Sequence, residues 1–437
     1  MSAGTDVLLS VQNLKVHFAV GGGLFGARGA VKAVDGVSFE VRRGSTFGIV
    51  GESGSGKSSI ALAVMRLVRI SGGRVSLGDT EIGALEGEAL RRERRRFQMV
   101  FQDPYASLNP RKRAGDAILD ALNLMDVGDP AGRPDRAREL FLQTGLRPEQ
   151  LMLFPHQFSG GQRQRIVLAR ALAARPELVV CDEPVSALDV AIQAQMLNLM
   201  LRLQQEFGLT YLFISHDLGV VRHMCDEVAV MYLGRIVERA GRDALFARPL
   251  HPYTLALWSA APSFDPRERG RGLRIRLQGE PPSPMDVPAG CRFAGRCPHA
   301  QAPCRELEPE LREVAGGHWV ACHRVGDDGI GKVPAAGYAQ LPGLGGDQHG
   351  ALNAGRVHQC QHLFVTHAVG HRFIAPELAL PECARPRRTQ PHDFGGDRVD
   401  HAVDGFDGVR HRDSDSLSGR GHCILIVMNT SLFDAGA

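Results

Sequence analysis

One stretch constrains this chain more than any other. GESGSGKSS, at residues 51–59, fits the pattern G-x-x-x-x-G-K-[ST] and directly follows the apolar run TFGIV at residues 46–50. A strand that delivers into a glycine-rich turn and then a helix lets successive backbone N–H groups curl round an anion, and the helix amino terminus adds positive potential. The natural guest is a triphosphate. On this reading Gly51, Ser53, Gly54, Ser55, Gly56, Lys57, Ser58 and Ser59 form the cradle, Lys57 reaches the β and γ phosphates, and Ser58 ligates Mg²⁺. The other reading, an ordinary glycine-rich turn, would require a rare coincidence of lysine, spacing and preceding strand.

The rest of the chain must supply a sheet to carry that loop. Up to about residue 250, short β-branched runs alternate with helical patterns, the signature of an α/β domain. Strands are predicted over residues 8–18, 37–41, 46–50, 97–101, 178–181, 209–214 and 227–232, and helices over 58–68, 163–174 and 190–207. Past that point Pro252, Pro262, Pro266, Pro281, Pro282, Pro284 and Pro288 break any long element, so residues 251–324 are expected to form a small, loop-rich appendage. Residues 325–437 carry nine of the seventeen histidines without any period of 2 or 3.6. This tail is left unassigned and expected to be disordered or non-native.

Composition closes off several classes. With 437 residues, 43% apolar and 23% charged, the chain is neither a single small module nor wholly disordered. A net charge of +3 gives no reason to expect a nucleic-acid partner. The amino terminus carries no export pattern, and the apolar runs fall short of the roughly 20 residues that span a bilayer. The expected location is therefore the cytoplasm, with any membrane role supplied by partners.

Three further motifs carry chemistry. LVVCDEP, residues 178–184, reads as a buried parallel strand ending in two carboxylates, which would face a ligand at the carboxyl edge of the sheet. Asp182 suits the Mg²⁺ shell, and Glu183 suits polarisation of an attacking water. FSGGQRQR, residues 158–165, offers a second anion site at a helix start through Ser159, Gly160, Gly161 and Gln162, although an ordinary serine cap would look the same. Cys291, Cys297, Cys304 and Cys322, spaced C-x5-C-x6-C-x17-C, could hold a [4Fe-4S] cluster or Zn, or could be reduced, partly buried thiols; local spacing leaves these open. The basic run RRERRRF, residues 91–97, reads as a solvated helix face.

GESGSGKSS, FSGGQ and LVVCDEP, in that order, resemble the ATP-binding-cassette (ABC) ATPases. The resemblance implies a P-loop NTPase fold with a parallel-sheet core, an antiparallel β subdomain and a helical signature subdomain. It also implies head-to-tail pairing, in which each ATP lies between one phosphate loop and the partner's signature motif, here Ser159–Gln162. Gln102 in VFQDP is similar to the loop glutamine that touches Mg²⁺ and water, Asp189 in SALD to the interface aspartate, His216 in ISHD to the γ-phosphate histidine, and Phe18 to the aromatic residue stacked on adenine.

Finer wording resembles one branch of that family. VFQDPYASLNPRKRAGD, EPVSALDVAIQAQ, HPYTLAL and GEPPSPMDVPAGCRFAGRCPHA are similar to oligopeptide/dipeptide importer ATPases, and SLNPR to their second ATPase subunit. The resemblance spans residues 7–324 and implies a cassette over residues 1–250 with the appendage at 251–324. It implies catalysis by Glu183, His216 and Gln102. The implied partners are two transmembrane permeases, a paralogous second ATPase and an extracytoplasmic solute-binding protein, at the cytoplasmic face of the inner membrane. Nickel or glutathione import within the same branch, and a soluble, non-transport ABC ATPase, are the alternatives.

Overall fold

The computed structural model describes residues 6–21, 29–260 and 275–326. These lie within the first of two compact units, Met1–Ala351; the second, Leu352–Ala437, and with it nearly all of the unassigned tail, lies outside the described residues.

The strands form two sheets. β1 (Val7–Val20), β2 (Gly29–Arg42) and β4 (Gly72–Leu77) make an antiparallel sheet in the order β2-β1-β4. An eight-stranded sheet has the order β10-β11-β9-β8-β3-β7-β6-β5. Within it β8 (Glu227–Tyr232), β3 (Thr46–Val50), β7 (Thr210–Ile214), β6 (Leu178–Asp182) and β5 (Phe97–Val100) run parallel. β9 (Arg235–Gly241), β11 (His318–Val320) and β10 (Arg312–Ala315) extend it antiparallel.

The parallel strands read as unbroken apolar runs because both of their faces are covered. Successive residues serve opposite cores. Val179, Cys181, Tyr211 and Phe213 join the cluster on the helical side, whereas Leu178, Val180, Leu212 and Ile214 join the one beneath the antiparallel sheet. Each such fully buried side chain contributes about 1.5–3 kcal/mol relative to exposure. One core is closed by α6 (Gly160–Leu172) and α7 (Val190–Phe207), with α4 (Ala114–Leu124) and α5 (Arg133–Gln143) packed outside α6 as a helical subdomain. The other takes α1 (Lys57–Val64). Short helices α2 (Gly87–Glu93), α3 (Pro104–Ser107), α8 (Leu218–Met224) and α9 (Arg242–Ala247) link these parts.

The predicted strands and helices all form, with ends shifted by up to four residues except in β2, which starts eight residues before the predicted 37–41. β4 and β9 go unpredicted, because GGRVSL and RIVERAG interleave charges and glycines with few apolar residues. The appendage is more regular than its prolines suggest: α10 (Pro252–Ala260) and α11 (Ala302–Glu306) form, and β11 pairs with β9 through Trp319↔Arg239 and Val320↔Glu238. The last three-strand extension of the main sheet is thus partly built from the appended segment.

Buried ions fix that segment. Glu238, fully buried, accepts from the Leu250 and His251 N–H groups at 2.6 and 2.9 Å and pairs with His318 at 2.7 Å. Arg292, 5% exposed, donates to the Leu233 carbonyl and to the carboxylates of Asp35 (2.6 Å) and Glu308 (2.9 Å). Burial alone would push the Asp35 carboxyl up, but its bonds to Arg292 and His17 outweigh that and hold it at about 2. A depressed carboxyl pKa stabilises the fold above the unfolded value near 4 and loses that stabilisation as pH falls through about 2. Asp35→Asn should therefore cost about 2–3 kcal/mol at pH 7, the worth of a charge-assisted hydrogen bond with its partner left buried. In urea titrations the gap between parental and variant proteins should narrow between pH 4 and pH 2; an unchanged gap would show that the Asp35 charge does not hold the appendage.

Candidate functional site

Four parallel strands end side by side, and the loops that leave them converge. β3 delivers the phosphate loop into α1; β6 ends at Asp182, with Glu183 next; β7 leads to Ser215 and His216; β5 leads to Gln102. The Ser215 N–H donates to the Ile49 carbonyl at 3.2 Å and the Glu183 N–H to the Ile214 carbonyl at 2.9 Å, tying these loops across the strand tips. The Asp217 carboxylate caps α8 by accepting from the Gly219 and Val220 N–H groups, which fixes the turn that presents His216. The result is a cavity of about 520 Å³ whose lining includes Ser53, Gly54, Gly56, Lys57, Ser58, Ser59, Gln102, Glu183 and His216.

Inside it the polar groups are prearranged. Lys57 Nζ donates to the Gly51 and Glu52 carbonyls, both at 2.8 Å, and Ser58 Oγ donates to Asp182 Oδ1 at 3.1 Å. The Glu183 carboxylate is shared: Gln102 Nε2 donates to one oxygen at 3.0 Å, and His216 Nδ1 lies 3.0 Å from the other. Glu183 also holds φ of +48°, a left-handed backbone that costs a non-glycine residue about 1–3 kcal/mol and recurs at functional sites. Burial pulls the Lys57 ammonium pKa down against the charges of Glu183, Asp182 and Glu52, and burial pushes the Asp182 carboxyl up despite its bond to Ser58. Two half-buried carboxylates and one buried ammonium beside a glycine-lined cup suit a polyphosphate with a divalent cation.

The cradle itself fits a phosphate. The Ser55 hydroxyl is buried with no hydrogen-bond partner, and α1 presents the unpaired N–H groups of its first turn. Gly56 has φ of +104°, and a Cβ there would sit 2.0 Å from the Ala33 carbonyl oxygen. The loop closes only around glycine.

Ser159, Gly160, Gly161 and Gln162 start α6 as a reciprocal cap: Gln162 N–H donates to Ser159 Oγ at 3.3 Å, and Ser159 N–H to Gln162 Oε1 at 3.1 Å. None of the four is among the described residues lining the cavity. They pack instead on the segment carrying Asp189, where a Cβ on Gly161 would meet Ile192 at 2.5 Å. Asp189 precedes α7, and its side chain makes no capping bond. Phe18 is 41% exposed and pairs across the antiparallel sheet with Val31, which does line the cavity. Of the basic run at residues 91–97, Arg91, Arg92 and Arg95 are exposed, but the helix ends at Glu93, Arg96 pairs with Glu93 and Glu177, and Phe97 is buried at the start of β5, so only part of the run is the solvated helix face expected.

Several residues at the site were not singled out in the sequence. Tyr253 Oη, from α10, accepts from the Glu52 N–H at 2.8 Å, and Arg296 grips the Glu52 carboxylate with two guanidinium nitrogens at 2.7 and 3.2 Å. Pro284 lines the cavity beside Val31 and Ala33. Only HPYTLAL and its proline-rich sequel hinted that this segment mattered, and neither says what it touches.

The cysteines depart from the expected [4Fe-4S] or Zn centre. Cys291 N–H donates to the Cys304 carbonyl at 2.8 Å, so the segments holding Cys291, Cys297, Cys304 and Cys322 do pack together. Yet among the described residues no three His, Cys, Asp or Glu side chains are arranged to hold a metal ion. Burial pushes the thiols of Cys291 and Cys322 up to about 11, and that of Cys297 up as well. Cys304 and Cys322 are buried and Cys291 and Cys297 half-buried, all four as free thiols.

Residues 34–186 match the family described as ABC transporter, and residues 237–304 the family described as the C-terminal region of oligopeptide/dipeptide transporters. The chain is 49% identical over 324 residues to the oligopeptide transport ATP-binding protein AppF of Bacillus subtilis, covering 74% of this chain and 98% of that protein. It is 49% identical to a peptide import ATP-binding protein of Brucella ovis (72% of this chain, 98% of that one). Against a peptide ABC transporter ATP-binding protein of Sinorhizobium fredii it is 50% identical (73% and 90%).

The cradle geometry separates two glycines by consequence. Gly54 has φ of +78° but open space around its Cβ position, so Gly54→Ala should cost only the left-handed strain of about 1–2 kcal/mol. Gly56→Ala adds the clash with Ala33 and should abolish tripolyphosphate binding in calorimetric titration. Equal binding by the two variants would mean that this loop is not the anion cradle.

Proposed function

The chain belongs to the ABC transporter family, in its oligopeptide/dipeptide import branch, and we propose that the residues gathered at the carboxyl edge of its sheet bind and hydrolyse the ATP that drives import. It is the ATPase subunit of a peptide import system, and such a system works with membrane permeases and a substrate-binding protein. Among the described residues no helix is long and apolar enough to cross a membrane.

The observation that carries the mechanism is the Glu183 carboxylate held between Gln102 and His216 above the phosphate cradle. Lys57 and the loop N–H groups neutralise the phosphates. Mg²⁺ arriving with ATP would be held by Ser58, with Gln102 and Asp182 beside it, and supplies further charge neutralisation. Glu183 orients and polarises water for in-line attack on the terminal phosphorus, and His216, half exposed beside it, faces the departing γ phosphate. In-line transfer to water needs positioning more than strong basicity, which a carboxylate fixed at both oxygens provides.

Ser159–Gln162, lying off the chain's own cavity, would complete the site of a second cassette, with Asp189 at the interface. We read that second cassette as a paralogue and the assembly as peripheral to the cytoplasmic face of the inner membrane. Residues 1–250 work as the cassette and 251–324 as its appendage, with 325–437 unassigned. A groove beside the Gln102 loop, with Leu67 (49% exposed), Phe101 (36%) and Leu124 (64%), supports permease docking there.

Glu183→Gln keeps the shape of the side chain and removes its charge. The variant should lose about 10²–10⁴-fold in ATP turnover while still binding ATP, and should accumulate as an ATP-loaded dimer in size-exclusion chromatography. Turnover at the parental rate would remove Glu183 from the mechanism.

A further inference from the structure

The cavity has one wall that the cassette alone does not supply. β2 is the free edge of the three-stranded sheet, and the appended segment lies along it: the Lys32 N–H donates to the Pro284 carbonyl at 3.0 Å. Met285, next in the chain, places its Cε 3.0 Å from where a Cβ on Gly29 would be, so that glycine leaves the room the thioether occupies. Ser283 shapes the turn, its hydroxyl accepting from the Met285 N–H at 3.2 Å and its carbonyl from the Asp286 N–H at 3.1 Å. A few residues on, Arg292 binds Asp35 of β2 and Arg296 binds Glu52 of the phosphate loop. The segment is therefore tied to both sides of the cavity mouth.

What it faces there is apolar. Val31, Ala33 and Pro284 are the apolar side chains among the described residues that line the cavity. Phe18 is the cross-strand partner of Val31, and directly opposed residues in an antiparallel pair project from the same face. Phe18, opposite Val31, and Met285, against Gly29 two residues before Val31, are 41% and 50% exposed large apolar side chains. A flat aromatic ring is the ligand part that such a pair would cover, since a thioether packs well on π surfaces.

We propose that Pro284 and Met285 of the appendage form the second wall of the base pocket, opposite Phe18, so that the appended segment sets the affinity for the purine base of the nucleotide. This rests on the ATPase reading above but is separable from it. The polyphosphate is held by the loop and does not touch this wall; the base is held by the wall and does not touch the loop.

The test compares ATP with tripolyphosphate, which has the anion and lacks the base, on the purified full chain. Met285→Ala should raise the KM for ATP about five- to tenfold with kcat within about twofold of parental, the pattern of a lost uniform binding contact. Its dissociation constant for tripolyphosphate should be unchanged, and Met285→Leu should restore most of the ATP affinity. Parental ATP affinity in Met285→Ala, or equal weakening of ATP and tripolyphosphate, would overturn the wall. If the parental chain bound neither ligand, the ATPase reading itself would fall and this inference with it.

Discussion

The site exists because β3, β7, β6 and β5 lie side by side and parallel, in an order unlike their order in the chain. Parallel pairing brings every carboxyl end to one edge, and the crossovers needed to connect such strands carry the helices to the faces. Residues 57, 102, 182, 183 and 216 thus become neighbours although more than 150 residues separate the first from the last. The register makes this adjacency rigid: Gly48 pairs with Phe213, Val180 with Leu212, and Val100 with Cys181. A slip of one residue would exchange the two cores and turn the strand ends away from each other.

The appendage depends on a different kind of constraint. It buries a few large apolar groups, Tyr253 and Phe293 among them, and is held by ionic contacts that each reach several partners. Glu238 accepts two backbone N–H bonds and pairs with His318; Arg292 meets two carboxylates and a carbonyl. Burying a charge without partners would be costly, so these groups fold correctly only when the appendage docks in one position. An aromatic cluster of Tyr232, Tyr253 and Phe293, with ring centroids 4.7 to 5.5 Å apart, fills the space between them. His251 lies against Phe293, and burial holds its imidazole neutral, at about 3. Through Tyr253 and Arg296 this docking reaches Glu52, one residue into the phosphate loop.

What could be read from the sequence was whatever local pattern determines. The phosphate loop declares itself because glycine spacing, lysine and a preceding strand all lie within 14 residues, 46–59. The apolar strands β3, β6, β7 and β8 declare themselves because two covered faces demand continuous hydrophobic runs. β9 does not, because its central residue is Glu238, a carboxylate made tolerable only by partners 12 to 80 positions away. Tyr253, Arg296 and Pro284 were hidden for the same reason: their roles are defined by Glu52 and Lys32, more than 190 residues upstream. The cysteines show the converse case: their clustering in sequence persists in space, but among the described residues no three of their side chains are arranged to hold a metal ion, and proximity in sequence does not say how side chains will point.

The chain has two glycine-rich helix starts, at α1 and at α6. Ser159–Gln162 cap α6 with a self-contained pair of hydrogen bonds and pack beside Asp189, yet contribute nothing to the cavity holding Lys57 and Glu183. Gly161 is buried against Ile192, and Ser159 and Gln162 keep the helix start ordered with its N–H end beside that contact. On the reading proposed above, a phosphate held in one chain's cradle is closed by the other chain's helix start, and both cavities close together. Closure then depends on the terminal phosphate, the group furthest from the base and nearest the second surface. A ligand shifts such an equilibrium only by its differential affinity for the closed pair. Losing the terminal phosphate removes that difference and leaves the base and its wall untouched. On that reading, release of the pair follows loss of the terminal phosphate, whereas release of the nucleotide also requires parting from the base.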